Sequence, residues 1–570
     1  MAVLDWIDER TGLRAGVQAL LGGQVPGGAR LRYVFGSVLV FLFVLEAVLG
    51  ILLGFYYSPS ATTAWASTAY LNDQVAYGWF IRGLHYHASS AMVVVVILHL
   101  AQVVWAGAYR KPREVNWWIG LVLGALVLLF TLTGYSLPWD QKGYWAAQVR
   151  AGILGSVPGG EALQQFAQGG PEYGNLSLVR FYALHVFVLP VVFVLLLVGH
   201  VLLVRRHGVT PPAELTEAEL AAKSQPSWPY QLFLDVLAMT VCAAILIGVT
   251  VQTHGAELFA PADPASNFVA RPEWFFLFLF QLLKYFEGPL QIVGTVLLPA
   301  AVTAFLVGLP LLDRAKTRKP SARWPVLLGV GLIMAGATAL SAVALVEDGK
   351  NEEYKKGLEQ AHAEAKRARE LAREGVPPAG GIAVYDNDPE QKTRNLFKEH
   401  CGTCHTLEGK GSEEGPVLDG FTSREWLTAL VRQPRDKRFY GATKHNTMEP
   451  LTTEAVSDEE LKAVIEYVVS LSGSGEATDA ELVKRGKELW DTKLECSSCH
   501  EVEAGKDSTG PTLAGRGTAA WVARIITDSS QKDLYGDTAE MPKFGGKLSP
   551  QEIEALAQFV VAKGGARKAE

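Results

Sequence analysis

Cysteine and methionine are both scarce in this chain of 570 residues, five of the first and six of the second. Four of the cysteines fall in two short strings, CGTCH at 401–405 and CSSCH at 496–500, which leaves only Cys242, inside an apolar run. That lone thiol reads as a small buried residue. It cannot supply an iron–sulfur cluster that takes two cysteines and two histidines, so any such cluster must come from another polypeptide. Charge is thin as well: charged residues make up 19% of the chain, hydrophobic ones 49%, and the net charge is only -6. No basic patch points to nucleic acid. The N-terminal MAVLDWIDERTGLRAG has acidic residues before any apolar run and no small-residue cleavage site. It therefore reads as a surface-lying amphipathic segment over 1–32, not as a signal peptide.

The two cysteine strings have the spacing of covalent haem c attachment, in which both thiols bond the porphyrin and the adjacent imidazole ligates iron. They also sit inside a duplication. Aligning Cys401 with Cys496 brings GPVLDG at Gly415 onto GPTLAG at Gly510, Trp426 onto Trp521 and Tyr440 onto Tyr535. Two tandem copies of one small helical domain are expected, over 386–473 and 474–570. Each copy holds a single methionine, so elimination offers Met448 as sixth ligand opposite His405, and Met541 opposite His500. His445 competes with Met448. A thioether opposite histidine raises the potential, which makes Cys401, Cys404, His405 and Met448, with Cys496, Cys499, His500 and Met541, two high-potential centres.

Before residue 347 the sequence is dominated by apolar runs near 33–57, 80–107, 116–138, 180–204, 231–252, 289–311 and 324–346. Each suffices for the roughly 20 residues that a bilayer core requires. Seven spans place the basic loops after Tyr109, Val204 and Asp313 on one side, the cytoplasmic one by charge, with the N-terminus on that side and the two haem domains opposite. An all-α polytopic chain follows, with a four-helix bundle over 33–210, three further helices over 211–346, and a helical stalk over 347–385. The stalk segment 350–374 is rich in Ala, Glu, Lys and Arg, with Glu352 and Lys356 spaced for pairing. It reads as exposed, and GVPPAGG reads as a hinge after it.

Ionisable residues inside spans are costly and functional by default, which draws attention to four histidines. His85 and His99 stand 14 residues apart in the second span, His185 and His200 15 apart in the fourth. At about 100° and 1.5 Å per residue, each pair returns to nearly one face roughly 21 Å along the axis. Antiparallel helices then match His85 with His185 at one level and His99 with His200 at the other, enough to hold two noncovalent haems b. Gly36 and Gly50 in the first span, and Gly120 and Gly134 in the third, repeat the 14-residue interval and would leave room for a porphyrin. Arg82 and Arg180 are candidates for haem propionates, against ordinary interfacial snorkelling. His87 falls outside the pattern.

RGLHYH at Arg82, YRKPREVNWW at Tyr109, TGYSLPWDQKGYW at Thr133, RFYALH at Arg180 and PEWF at Pro272 resemble signatures of cytochrome b in the quinol–cytochrome c reductases, the cytochrome bc family. The His185–His200 interval is similar to the split cytochrome b of photosynthetic b/f complexes, although Val34 stands where those relatives hold an extra covalent haem. The resemblance implies quinol oxidation near the outer haem, whose ligands are His85 and His185. Glu273 of PEWF would accept the quinol proton, its partial desolvation favouring the neutral form; read alone, it could equally be a helix-start residue. Pro272, Trp274 and Tyr135 would shape the site with Trp139, and Phe275 replaces the commoner tyrosine. One electron would cross both haems b to a quinone site near His99 and His200, where Asp235 and Arg205 are candidates or merely helix-end anchors. The other would pass through a partner Rieske protein to the haems c, and then to a terminal oxidase or other acceptor. The implied setting is a bacterial inner membrane, in contact with lipid and the quinone pool, as a homodimeric complex that moves protons. The competing class is a haem-rich conduit fed by another dehydrogenase, which needs neither Glu273 nor GYSLPWDQ.

Overall fold

The structure is a computed structural model that describes residues 2–12, 14–15, 22–155, 157, 159–170, 172–264, 266, 268–286, 288–445, 447–473, 477–503, 506 and 509–565. Parts of the expected N-terminal segment 1–32, at 1, 13 and 16–21, lie outside them. The chain divides into two compact units, residues 1–385 and 386–570.

Among the described residues, seven helices of the first unit are long and apolar enough to cross a membrane: Leu31–Gly54, Gly78–Ala106, Glu114–Gly134, Asn175–His207, Ser227–Gln252, Val293–Leu312 and Pro320–Lys350. Their outward faces carry exposed Val44, Ile51, Leu195, Leu202, Ile245 and Leu332. Such helices satisfy their own backbone bonds and suit lipid as the surrounding solvent. The chain is accordingly a helical, multi-pass membrane protein. Spans one to five share a core of Val38, Leu42, Ala88, Met92, Val93, Leu123, Val127, Phe193 and Leu246, with Phe43 stacked on Phe193 at 4.4 Å. In each of the first four spans these residues fall between the two positions singled out as histidine or glycine. The core is an apolar plug that separates two levels.

In the fourth span, Leu184–Val188 forms a π-helical turn that contains His185. A π-turn absorbs one extra residue, so 15 residues from His185 to His200 present their side chains much as 14 do between His85 and His99. The unequal spacings thereby become equivalent.

The basic loops gather at one end of the bundle. Arg113 donates to the His207 carbonyl at 2.8 Å, Arg110 to Thr317 O at 2.9 Å and Arg318 to Pro211 O at 2.8 Å. Beneath them Arg323, 1% exposed, donates from Nε to Asp313 Oδ2 at 2.7 Å and from Nη2 to the Tyr109 hydroxyl at 2.7 Å. Tyr109 in turn donates to the same carboxylate at 2.7 Å. Arg323→Ala takes from buried Asp313 its closest counter-charge and leaves only Arg110 Nε, 3.9 Å away; breaking such a buried pair costs about 3–5 kcal/mol. Thermal unfolding should show that loss, and Arg323→Ala with Asp313→Ala should recover part of it.

The helix Glu352–Ala372, expected to be an exposed stalk, instead buries Ala361, Ala365, Ala368 and Leu371 along one face. Arg369 pairs with Asp73, and His362 Nε2 lies 2.9 Å from Glu257 Oε1. Small alanines allow the close approach that the abundance of charge concealed. Lys355, not Lys356, meets Glu352, at 2.9 Å. Gly381, in the expected hinge, is wedged against Trp65 and Pro261.

The second unit has three helices in each sequence copy among the described residues: Pro389–His400, Arg424–Arg432 and Asp458–Leu471, then Ala480–Thr492, Ala519–Thr527 and Pro550–Gly565. Their starts repeat too. Ser423 accepts from Trp426 N and Thr518 from Trp521 N, as N-caps do. One apolar cluster draws Phe397, Trp426, Leu461 and Ile465 from the first copy, with Trp521, Leu556 and Phe559 from the second. The segments 386–473 and 474–570 do not close as separate cores.

Candidate functional site

The four span histidines are brought together in two pairs. His85 and His185 face each other with ring centroids 6.3 Å apart, which leaves room for one atom between them. At the other level His99 and His200 lie within electrostatic reach of one another. The glycines meet them as the shared interval implied. A Cβ on Gly50 would stand 3.4 Å from His85 Cε1, on Gly134 2.6 Å from His185 Cε1, on Gly120 3.3 Å from His200 Cε1 and on Gly36 3.8 Å from His99 Cε1. Bare backbone opposite imidazole, at both levels, is a cradle that fits a flat macrocycle. Nδ1 of His99 is buried with no hydrogen-bond partner among the described residues, while His200 lies beside the Asn116 backbone. At the first level Thr133 Oγ1 lies 3.1 Å from His185 Nδ1, and Glu46 Oε2 lies 2.5 Å from His85 Nδ1. Such outer contacts fix the ring orientation of a ligating histidine. The sequence reading missed Glu46, although it is the only acidic residue of its span.

Glu273 sits beside the first level. Its backbone starts the short helix Trp274–Phe276, the position of a helix-start residue, but its side chain makes no cap bond there. Instead the Tyr86 hydroxyl donates to both carboxylate oxygens, at 3.2 and 3.3 Å, and Lys142 Nζ donates to Oε1 at 3.2 Å. The partly desolvated surroundings expected for this carboxylate thus contain a counter-charge. Burial alone would lower the Lys142 ammonium, but Glu273, Tyr86 and Glu257 outweigh it and hold that group above its ordinary value. Lys142 Nζ also stands 5.5 Å over the ring of Tyr135. The Tyr135 hydroxyl is buried with no partner among the described residues. Tyr86 and Lys142 both lay within quoted motifs without being assigned.

Other candidates separate. Trp274 is 46% exposed, and Phe275 packs on the central plug. Trp139 turns away into the cluster with Tyr144 and Leu178, so it lines no wall opposite Glu273. Arg82 donates to Ala256 O at 3.0 Å and Glu257 O at 2.8 Å and ties down a loop, while Arg180 donates to Phe166 O in the last turn of the helix Gly160–Gln168. His87 bonds Thr253 Oγ1 at 3.0 Å, consistent with a supporting place. Asp235 accepts from Gln231 Nε2 at 2.9 Å, while Arg205 approaches Gly23. No hydrogen bond joins Asp235 to Arg205 among the described residues.

In the second unit both C-x-x-C-H strings form tight turns, His405 N bonding Cys401 O at 2.8 Å and His500 N bonding Cys496 O at 2.9 Å. His405 Nδ1 lies 2.8 Å from Pro416 O and His500 Nδ1 3.0 Å from Pro511 O, which leaves each Nε2 for a metal. Burial lowers both imidazoles, keeping them neutral and able to ligate. Burial pushes the Cys401 and Cys496 thiols up to about 11. A redox-active dithiol needs the opposite shift, so the pattern fits covalent haem c better than disulfide exchange.

The comparisons agree with this division. Residues 90–261 match the family described as Cytochrome b(N-terminal)/b6/petB, and 261–352 match Cytochrome b(C-terminal)/b6/petD. Residues 391–472 match Cytochrome c, and 481–560 match Cytochrome C oxidase, cbb3-type, subunit III. Cytochrome b6 of Synechococcus sp. (strain JA-3-3Ab) is 38% identical over 211 residues, 37% of this chain and 98% of that protein. Cytochrome b6 of Emiliania huxleyi is 38% identical over 212 residues, 37% of this chain and 99% of its own length. A solved structure titled "Hyperthermophilic respiratory Complex III" shares the fold, with a TM-score of 0.54 at 24% identity over 67% of this chain and 99% of that one. The first unit thus carries both parts of cytochrome b in one chain and the second carries cytochrome c-type segments; the chain belongs to the cytochrome b family and is a cytochrome bc-type electron-transfer subunit.

Proposed function

We propose that this chain is the quinol-oxidising subunit of a quinol–cytochrome c reductase. The observation that carries the reading is the meeting of Glu273, Tyr86 and Lys142 next to His85. When bound, two noncovalent haems b on His85/His185 and His99/His200, and two haems c on the cysteine strings with His405 and His500, give the two electrons of quinol separate routes, one across the bilayer and one through a partner Rieske protein.

Oxidation of a quinol to a quinone releases two electrons and two protons. Glu273 receives one proton at a carboxylate oxygen, while Lys142 and Tyr86 hold that carboxylate in place. The unpaired Tyr135 hydroxyl is available to the substrate's oxygen, and Pro272 and Trp274 flank the entry. Glu46 and Thr133 keep His85 and His185 turned toward the iron position. Asp235 and Arg205 serve quinone reduction and proton uptake at the other level. By the charge bias of cytoplasmic loops, the end that gathers Arg110, Arg113 and Arg318 faces the cytoplasm of a bacterial inner membrane, with the second unit on the far side. Release of protons there and uptake from the cytoplasm conserve energy. The complex is a homodimer that passes electrons to a terminal oxidase or another acceptor.

Membranes containing this chain and its partners should reduce a soluble cytochrome c with added quinol, sensitive to quinol-site inhibitors, and extraction should give two haems b and two haems c per chain. Reduction only through an added dehydrogenase, indifferent to those inhibitors, supports the conduit instead.

A further inference from the structure

A haem-binding copy that closed on itself would pack its own first helix on its own last helix. The second unit does otherwise. The first helix of copy one meets the last helix of copy two: the rings of Phe397 and Phe559 lie 6.0 Å apart, and Glu390 Oε1 lies 2.7 Å from Lys563 Nζ. The first helix of copy two meets the last helix of copy one. Trp490 and Tyr467 lie 5.8 Å apart, Lys493 Nζ stands 2.8 Å from Glu460 Oε1, and a Cβ on Gly486 would come within 2.0 Å of Ala463 O. The backbone repeats the exchange at matching positions, Gly420 N bonding Gly564 O at 2.7 Å and its counterpart Gly515 N bonding Leu471 O at 2.9 Å.

The methionine loops stay with the helices around them. Beyond Met448, Leu451 N bonds Val431 O at 3.1 Å, and beyond Met541, Phe544 N bonds Ile526 O at 3.2 Å. These loops therefore approach the other copy's attachment string. His400, immediately before Cys401, packs on Phe544, three residues past Met541, with rings 6.0 Å apart. Met541 itself packs on the apolar cluster that holds Cys401 and Leu407. In the reciprocal place Lys493, three residues before Cys496, is held by Glu460, twelve past Met448.

We propose that the two copies exchange their sixth ligands: Met541 serves the iron held by His405, and Met448 serves the iron held by His500. The proposal rests on both strings being haem c attachment sites and reverses the assignment expected from the chain order. Neither copy is then complete alone. The contacts between the Tyr440 and Tyr535 hydroxyls, 3.0 Å apart, and from Arg516 to Tyr440 at 2.8 Å tie the halves of one interlocked dihaem body.

The test uses the full chain in its complex. With Cys401→Ser and Cys404→Ser only the second covalent haem remains. Adding Met448→Ala should abolish the weak far-red absorption band of its ferric methionine ligation, whereas adding Met541→Ala should leave the band; the reverse pattern overturns the exchange. Because loss of one haem could disturb folding, a second measurement keeps both. Glu390→Cys with Lys563→Cys should form an intrachain disulfide, found as a joined peptide pair by mass spectrometry. Glu390→Cys with Ser470→Cys, the counterpart position within the same copy, should stay reduced. A disulfide in the second pair and none in the first contradicts the proposal.

Discussion

Glu273→Gln is expected to slow quinol oxidation by about 10²–10⁴-fold, the range typical of a lost general base, with all haem spectra intact. Glutamine keeps the size and can still accept from Tyr86 and Lys142, which reach Glu273 at 3.2 Å each, so the wall of the site persists. What disappears is a group able to take the proton. Lys142→Met should act in the same direction by a different path, since it removes the charge that holds the carboxylate without touching proton capacity. Phe275→Tyr should change the rate little, because it adds only a hydroxyl to a ring packed on the central plug. Stopped-flow reduction of the haems by excess quinol measures all three. Unaltered turnover in Glu273→Gln, with quinone binding also unaltered, reduces Glu273 to a loop residue.

Gly134→Val should remove one of the two extractable haems and leave the rest. The first added carbon alone would stand 2.6 Å from His185 Cε1, under any real contact distance, and valine brings two methyl groups beyond it. Either the imidazole swings off its axis or the macrocycle loses its space. Gly120→Val should do the same at the other level, where a Cβ would lie 3.3 Å from His200. Gly124→Ala is the control: its Cβ would meet Val96 at an ordinary 3.5 Å. Acid–acetone extraction followed by haemochrome spectra gives the count. Two haems b retained in Gly134→Val contradict the placement.

The histidine levels were legible because burying imidazole in lipid is costly and the glycines repeat the same interval; both signals survive in one dimension. The π-turn at His185 was not, although the 15-residue spacing was its trace. Tyr86 and Lys142 could not be assigned, since they reach Glu273 from 187 and 131 residues away and carry no periodic mark. Glu46 had a mark, a single carboxylate in an apolar span, that was passed over. The alanine face of Glu352–Ala372 was hidden by the charges between its alanines. The interlocking of the two copies is beyond any reading of a repeat, because a common offset says which positions correspond but not which copy's helix packs on which.

The central claim is that quinol sends its two electrons along separate routes from the site at Glu273. Membranes holding the complex should be poised with quinol present, the second quinone site blocked, and the haems c reduced. A pulse of oxidant is then added while haem b absorbance is followed. Drawing one electron into the high-potential branch forces its companion onto the other, so oxidant should cause the haems b to become more reduced. Prompt oxidation of haems b together with haems c, with no transient reduction, would mean that one continuous wire joins them and would contradict the account.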